Sequence, residues 1–180
     1  MIEQIVEQIN ESIVKLLRCK SECEDLSFKV HGIASPIQVQ DEESDKSIPA
    51  IILNNGGCEY VFSDDDYSAG CYHRINSKTY GTAKGFGDND RDTENVEVVL
   101  VVWGFQNQLN VSNLEFEREI IVPAIPQKAL LVSTDFNSYR VANSEFRNIN
   151  YLPKPEEFIF ALRYKVQYAF ERKCLKIDCD

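Results

Sequence analysis

Phe158-Ile-Phe-Ala-Leu-Arg-Tyr-Lys-Val-Gln-Tyr-Ala-Phe170 is the stretch that decides the fold. Phe158, Phe160, Leu162, Tyr164, Val166, Tyr168 and Phe170 hold one parity; Arg163, Lys165 and Gln167 hold the other. Side chains of a strand point alternately to its two faces, so this pattern predicts a long strand with one face on a core and one largely wet. Pro153 and Pro155, just ahead of it, mark a corner, with Glu145 to Tyr151 as the expected partner strand across it.

A second stretch says what lies beside that strand. Val96 to Phe105 (Val-Glu-Val-Val-Leu-Val-Val-Trp-Gly-Phe) is apolar on both parities after Glu97, the mark of a central strand covered on both faces. The cover is readable upstream. Ile2, Ile5, Val6, Ile9, Ile13, Leu16 and Leu17 recur at helical spacing with Glu3, Glu7, Glu11, Lys15 and Arg18 mostly opposite, an amphipathic helix of about five turns. Ser112-Asn113-Leu114-Glu115 matches a capping box, and the helix it opens runs to Ile121 or Val122 before Pro123 and Pro126 end it.

Shorter strands fill the rest: Leu26 to Ile33, Ile48 to Leu53 with Pro49 at a strand start or an edge, and Ala129 to Ser133. Asn54-Asn55-Gly56-Gly57 is a turn signal that returns Glu59 to Phe62 as a hairpin partner. Gln40 to Ser47 reads as a solvated loop. Residues 63–94 are polar, with a strand from Tyr72 to Thr82 inside a long hairpin or flap, its glycine- and aspartate-rich tip favouring turns. The expectation is one α+β domain over residues 1–180: a single mixed or antiparallel sheet, the N-terminal helix and a second helix packed on it, and a long flap or hairpin.

Composition narrows the function classes. A formal charge of −10 repels phosphate backbones, and Lys and Arg form no basic patch, so no nucleic-acid partner is expected. No apolar run approaches the roughly 20 residues of a membrane span, and Met1-Ile2-Glu3-Gln4 opens no signal peptide, so the expected place is the cytoplasm. The six cysteines, none in Cys-x-x-Cys spacing, read as free thiols.

The search for chemistry returns little. His31 and His73 are the only histidines, and Cys71 and His73 share a strand face at a spacing too long for a direct nucleophile–base bond. Asp88-Asn89-Asp90-Arg91-Asp92-Thr93-Glu94 begins like a calcium loop, but Thr93 stands where a glycine is needed and Val99 where a bidentate glutamate is needed. Asp64-Asp65-Asp66 reads as a solvated acidic run. Gly81, Gly85 and Gly87 lack the Gly-Lys-Ser/Thr ending of a phosphate cradle. No catalytic residue, cofactor or metal ligand is therefore assigned.

The order of elements, with Val98-Val99-Leu100-Val101-Val102-Trp103 running into the helix after Ser112 and the closing Phe160-Ala161-Leu162-Arg163-Tyr164-Lys165-Val166, resembles the tail-terminator and neck (head–tail joining) proteins of long-tailed bacteriophages and their prophage remnants. The resemblance implies a non-enzymatic structural protein that self-associates into a ring, with tail or head–tail connector proteins as partners and the virion as an alternative location. Arg163, Lys165 and Gln167, a basic-polar row on an acidic molecule, are then candidates for a contact with an acidic neighbouring subunit. Two other readings stay open from the residues: a metal-dependent enzyme or cation-binding module using Asp64 to Asp66, His73 and Asp88 to Glu94, and a small-ligand or peptide-binding domain.

Overall fold

The computed structural model describes residues 1–20, 28–40, 47–61, 67–83, 91–146 and 152–170. Among these residues seven strands make one sheet: β1 Phe28–Gln40, β2 Ser47–Leu53, β3 Cys58–Tyr60, β4 Ala69–Ala83, β5 Arg91–Phe105, β6 Ala129–Asp135 and β7 Glu157–Phe170, in the order β3-β2-β1-β4-β5-β7-β6. The β1–β4 pair is parallel and the other five are antiparallel, so the sheet is mixed. Among the described residues, no helix is long and apolar enough to cross a membrane.

The long hairpin of the polar middle is the centre of the sheet. Arg91 to Glu94 continue β5, and β4 pairs with β5 from Ala69↔Gly104 to Ala83↔Arg91. β5 lies between β4 and β7, and Val98 through Val102 are all buried, as a both-faces apolar run requires. The Asn54–Gly57 turn joins β2 to β3, with Gly56 at a φ of 85°. Pro49 sits near the start of β2, where it has no N–H to give, and its carbonyl accepts from the Val61 amide.

Helix α1, Ile2–Lys20, lays Ile2, Ile5, Val6, Ile9 and Ile13 on one face of the sheet. The same face takes the helix that starts after Ser112. Its capping box is formed: Ser112 Oγ accepts from the Glu115 amide, and Glu115 Oε2 accepts from the Ser112 amide. This helix opens as α3, Asn113–Phe116, following the single turn α2, Gln106–Leu109. It then widens into a π-turn over Glu117–Ile121 and closes as α4, Val122–Ala124. Pro123 follows the wide turn by two residues; its ring crowds the carbonyl four residues back, and a widened turn relieves that crowding.

The opposite face is covered over part of its length by α5, Ser138–Glu145, whose Val141 and Ala142 pack with Tyr72, Val101, Trp103, Ile159 and Ala161. This corrects two expectations. Glu145 ends a helix instead of beginning a strand, and the partners of β7 are β5 and β6. Residues 147–151, the rest of the expected partner strand, lie outside the described residues. The short helix was hidden because only Val141, Ala142 and Phe146 mark its buried stripe; its signal is Asn137, which caps by accepting from the Arg140 amide. A further correction concerns β7 itself. Ile159 and Ala161, on the parity expected to be wet, are buried under α5, and exposure begins only at Arg163.

Candidate functional site

His73 and Cys71 do share a face of β4, and that face is the core beneath α1. Both are fully buried. Asn10 donates from Nδ2 to the His31 carbonyl at 3.0 Å, which turns its Oδ1 toward His73 Nε2, 2.9 Å away. His73 must therefore donate from Nε2, and Nδ1 accepts from the Tyr164 hydroxyl at 3.0 Å. Burial pushes the His73 pKa down to about 3, so the ring is neutral, as this pattern of one donor and one acceptor demands. Burial also pushes the Cys71 thiol far above its ordinary value, which removes the thiolate a nucleophile needs. The pair is structural.

The acidic stretches divide. Asp64 to Asp66 and Asp88 to Asp90 lie outside the described residues, as do Gly85 and Gly87. Asp92 to Glu94 are extended strand paired on both sides, where β5 meets β4 and β7, which leaves that part of the segment unable to wrap a cation. Glu94 is engaged by Lys78 and by the Tyr168 hydroxyl. Among the described residues, no group of three or more His, Cys, Asp or Glu side chains is placed to hold a metal ion.

Arg163, Lys165 and Gln167 are exposed on the sheet face that α5 leaves open. Lys165 shares its charge with Glu97 on β5, at 3.3 Å, and Glu97 also accepts from Asn76. Arg163 acts electrostatically on Asp135, which is held mainly by Arg140 through two hydrogen bonds of 2.7 Å.

Beside this row lies the margin of the sheet. β6 pairs with β7 on one side and with no further described strand on the other. Leu130, Leu131 and Val132 are 68%, 39% and 46% exposed. A one-residue register shift between Leu131 and Ser133 makes Val132 the extra residue, so three apolar side chains crowd one edge. In register, Leu130 lies opposite Lys165 and Ser133 opposite Arg163, which joins the apolar edge to the basic row. Sequence reading found the strand; its position at the margin depends on strand order, which no local pattern carries.

A separate, concave feature is a cavity of about 630 Å³ between α1 and the β2–β3 turn. Among the described residues β2 stops pairing with β1 at Leu53↔Ala34, and no other described strand lies on that side of the first half of β1. Glu3, Glu7 and Asn10 from the helix and Glu59 from β3 are among its lining. Comparison with protein-family models finds no match to the chain, and comparison with the curated proteins finds none either.

Proposed function

We propose that the chain is a non-enzymatic assembly protein that works by self-association, as a ring subunit at the tail or neck of a phage or prophage would. One observation carries this reading: the apolar margin of β6, with Leu130, Leu131 and Val132 exposed beside Arg163 and Lys165. An edge strand presents unpaired backbone donors and acceptors, and natural proteins blunt such edges with charge. Here the edge is apolar instead, and the charge lies beside it, of the sign that suits the acidic surface of a second copy. A contact between that margin and a different part of the neighbour is heterologous, the kind that closes into rings.

The test is mass in solution. Sedimentation velocity over a wide range of concentration should show oligomers that grow with concentration and weaken with salt. A monomer that persists at the highest concentration overturns the reading. Small-ligand binding is the competing reading that a specific observation favours, because the cavity beside α1 has the size of a ligand site.

A further inference from the structure

β4 runs on past its neighbour. β1 pairs with it only as far as Ile33↔His73, and from Ala34 onward β1 pairs with β2. β5 keeps the other side of β4 all the way from Ala69 to Ala83. Beyond His73, β4 therefore has β5 on one side and no described strand on the other. Arg74 is held there by Glu145 at the end of α5, and Asn76 is the extra residue of a bulge between Ile75 and Ser77. After the bulge, Ser77 to Ala83 form a second margin of the sheet, as long as the seven-residue β6. Ser77 to Gly81 are exposed at every position, on both parities, so neither face of that stretch is covered. A polar strand open on both faces specifies its pairing weakly, and Thr79, Tyr80 and Thr82 suit strand pairing by composition. Lysines and bulges are the common protections of an edge. Here the one lysine of the stretch, Lys78, is drawn to Glu94 on β5 at 3.8 Å, and the bulge lies ahead of the margin instead of within it.

The strand that fits this margin is in the same chain. Register assigns the faces. Ser77 and Thr79, opposite Glu97 and Asn95, lie on the face away from α1, which is also the face of Leu130, Arg163 and Lys165. Tyr80, opposite Glu94, lies on the α1 face, as does Leu131, opposite Tyr164. A β6 laid along Ser77–Ala83 with both faces kept brings Leu131 onto the face of Tyr80, an apolar–aromatic cross-strand match, and Leu130 onto the face of Thr79. Net charge agrees with the match. The chain from Lys84 to Glu94, which joins β4 to β5 and opens β5, carries Asp88, Asp90, Asp92 and Glu94 against Lys84 and Arg91, whereas β6 is flanked by the basic pair Arg163 and Lys165. Within one copy β5 and β7 stand between β4 and β6, so only a second copy can supply that strand.

We propose that the Ser77–Ala83 margin of one copy receives β6 of the next, so that the sheet continues from subunit to subunit with a different margin used at each end. This rests on the self-association reading and names the surface that the β6 margin meets.

The test is complementation between two variants of the full chain, each with one margin disabled. Leu130→Lys with Val132→Lys disables β6. Ser77→Lys with Thr79→Lys disables β4, by adding lysines to an edge and setting them on the face of the neighbour's own basic pair. All four positions are exposed, so both variants should keep the far-ultraviolet circular dichroism of the wild type. Thr79→Lys alone takes the place of the β4 variant if its spectrum differs. Each variant by itself should sediment as a monomer at a concentration where the wild type assembles. Mixed in equal parts, the two should form a heterodimer of twice the monomer mass and stop there, because each brings one intact margin and one disabled margin. A β4 variant that assembles like the wild type overturns this inference alone and leaves self-association standing. Variants that each stop at a dimer overturn it too, since they mark pairing of each margin with its own kind, and so does a mixture that stays monomeric. A wild type that is itself monomeric overturns self-association and this inference together.

Discussion

His73 and Tyr164, 91 residues apart, are joined by a hydrogen bond of 3.0 Å between the ring Nδ1 and the phenol oxygen, in a core with no water-exposed surface on either side chain. With Asn10 on the other nitrogen, the ring ties α1, β4 and β7 together through polar atoms inside an otherwise apolar layer. A satisfied buried network of this kind specifies one arrangement of its elements.

That network sets an acid limit on the fold. The folded pKa of His73 is depressed from 6.5 to about 3, so between those values the unfolded chain binds a proton that the folded chain refuses. Stability is full above pH 6.5 and falls as pH drops toward 3, by at most about 1.4 kcal/mol per pH unit from this group. Denaturant titrations of wild type and His73→Gln across that window should show the shallower pH dependence in the variant. Parallel slopes would contradict it.

Removing a partner of His73 should hurt at any pH. Asn10→Leu leaves the Nε2–H buried without an acceptor, at a cost of about 1–3 kcal/mol. Tyr164→Phe removes the donor to Nδ1 and should cost about 1 kcal/mol. Equilibrium urea unfolding measures both.

Arg74 holds Glu145 through two hydrogen bonds of 2.7 and 2.8 Å, clamping the end of α5 to β4. The Glu145 side chain is only 4% exposed. Arg74→Met leaves that carboxylate with the Tyr72 hydroxyl, at 3.3 Å, and should cost about 3 kcal/mol, whereas Arg74→Met with Glu145→Met should recover part of the loss. A double-mutant cycle by thermal unfolding reads the difference.

Gly70 lies opposite Trp103 in the β4–β5 ladder, and a Cβ built there falls onto the indole ring. Gly70→Ala forces the indole to move and should cost about 1–3 kcal/mol. Trp103 is the only tryptophan, so a changed near-ultraviolet circular dichroism band reports the movement directly.

At the β6 margin, Leu130→Lys with Val132→Lys replaces exposed apolar side chains by charge. Fold stability should change by no more than about 0.5 kcal/mol, while the oligomers expected in sedimentation should fall to monomer. Charge reversal of Arg163 and Lys165 should weaken the same assembly more gently, since Lys165 already shares its charge with Glu97.

The elements that were readable in the sequence are those whose own residues decide them. α1 shows its stripe, Ser112 and Glu115 their capping box, Val96 to Phe105 its burial on both faces. What was not readable depends on distant partners. Ile159 and Ala161 look wet by parity and are dry only because α5 lies over them. Glu145 opens the run to Tyr151 that was expected as a strand, while its role is set by Arg74, 71 residues away. The cavity and the β6 margin are likewise products of strand order and of where β2 stops pairing.

The place of β7 between β5 and β6 also imposes a timetable. β4 and β5 are neighbours along the chain and can zip together as soon as both exist. β6 pairs only with β7 among the described strands, and its partner lies some two dozen residues further on. During synthesis the apolar run Leu130-Leu131-Val132 therefore waits, exposed, until residues 157–170 have left the ribosome. Hydrogen exchange pulsed during refolding should find the β4–β5 ladder protected first and β6 last. The same three residues proposed to meet a neighbour in the finished protein are thus the ones most open to the wrong neighbour while it is being made.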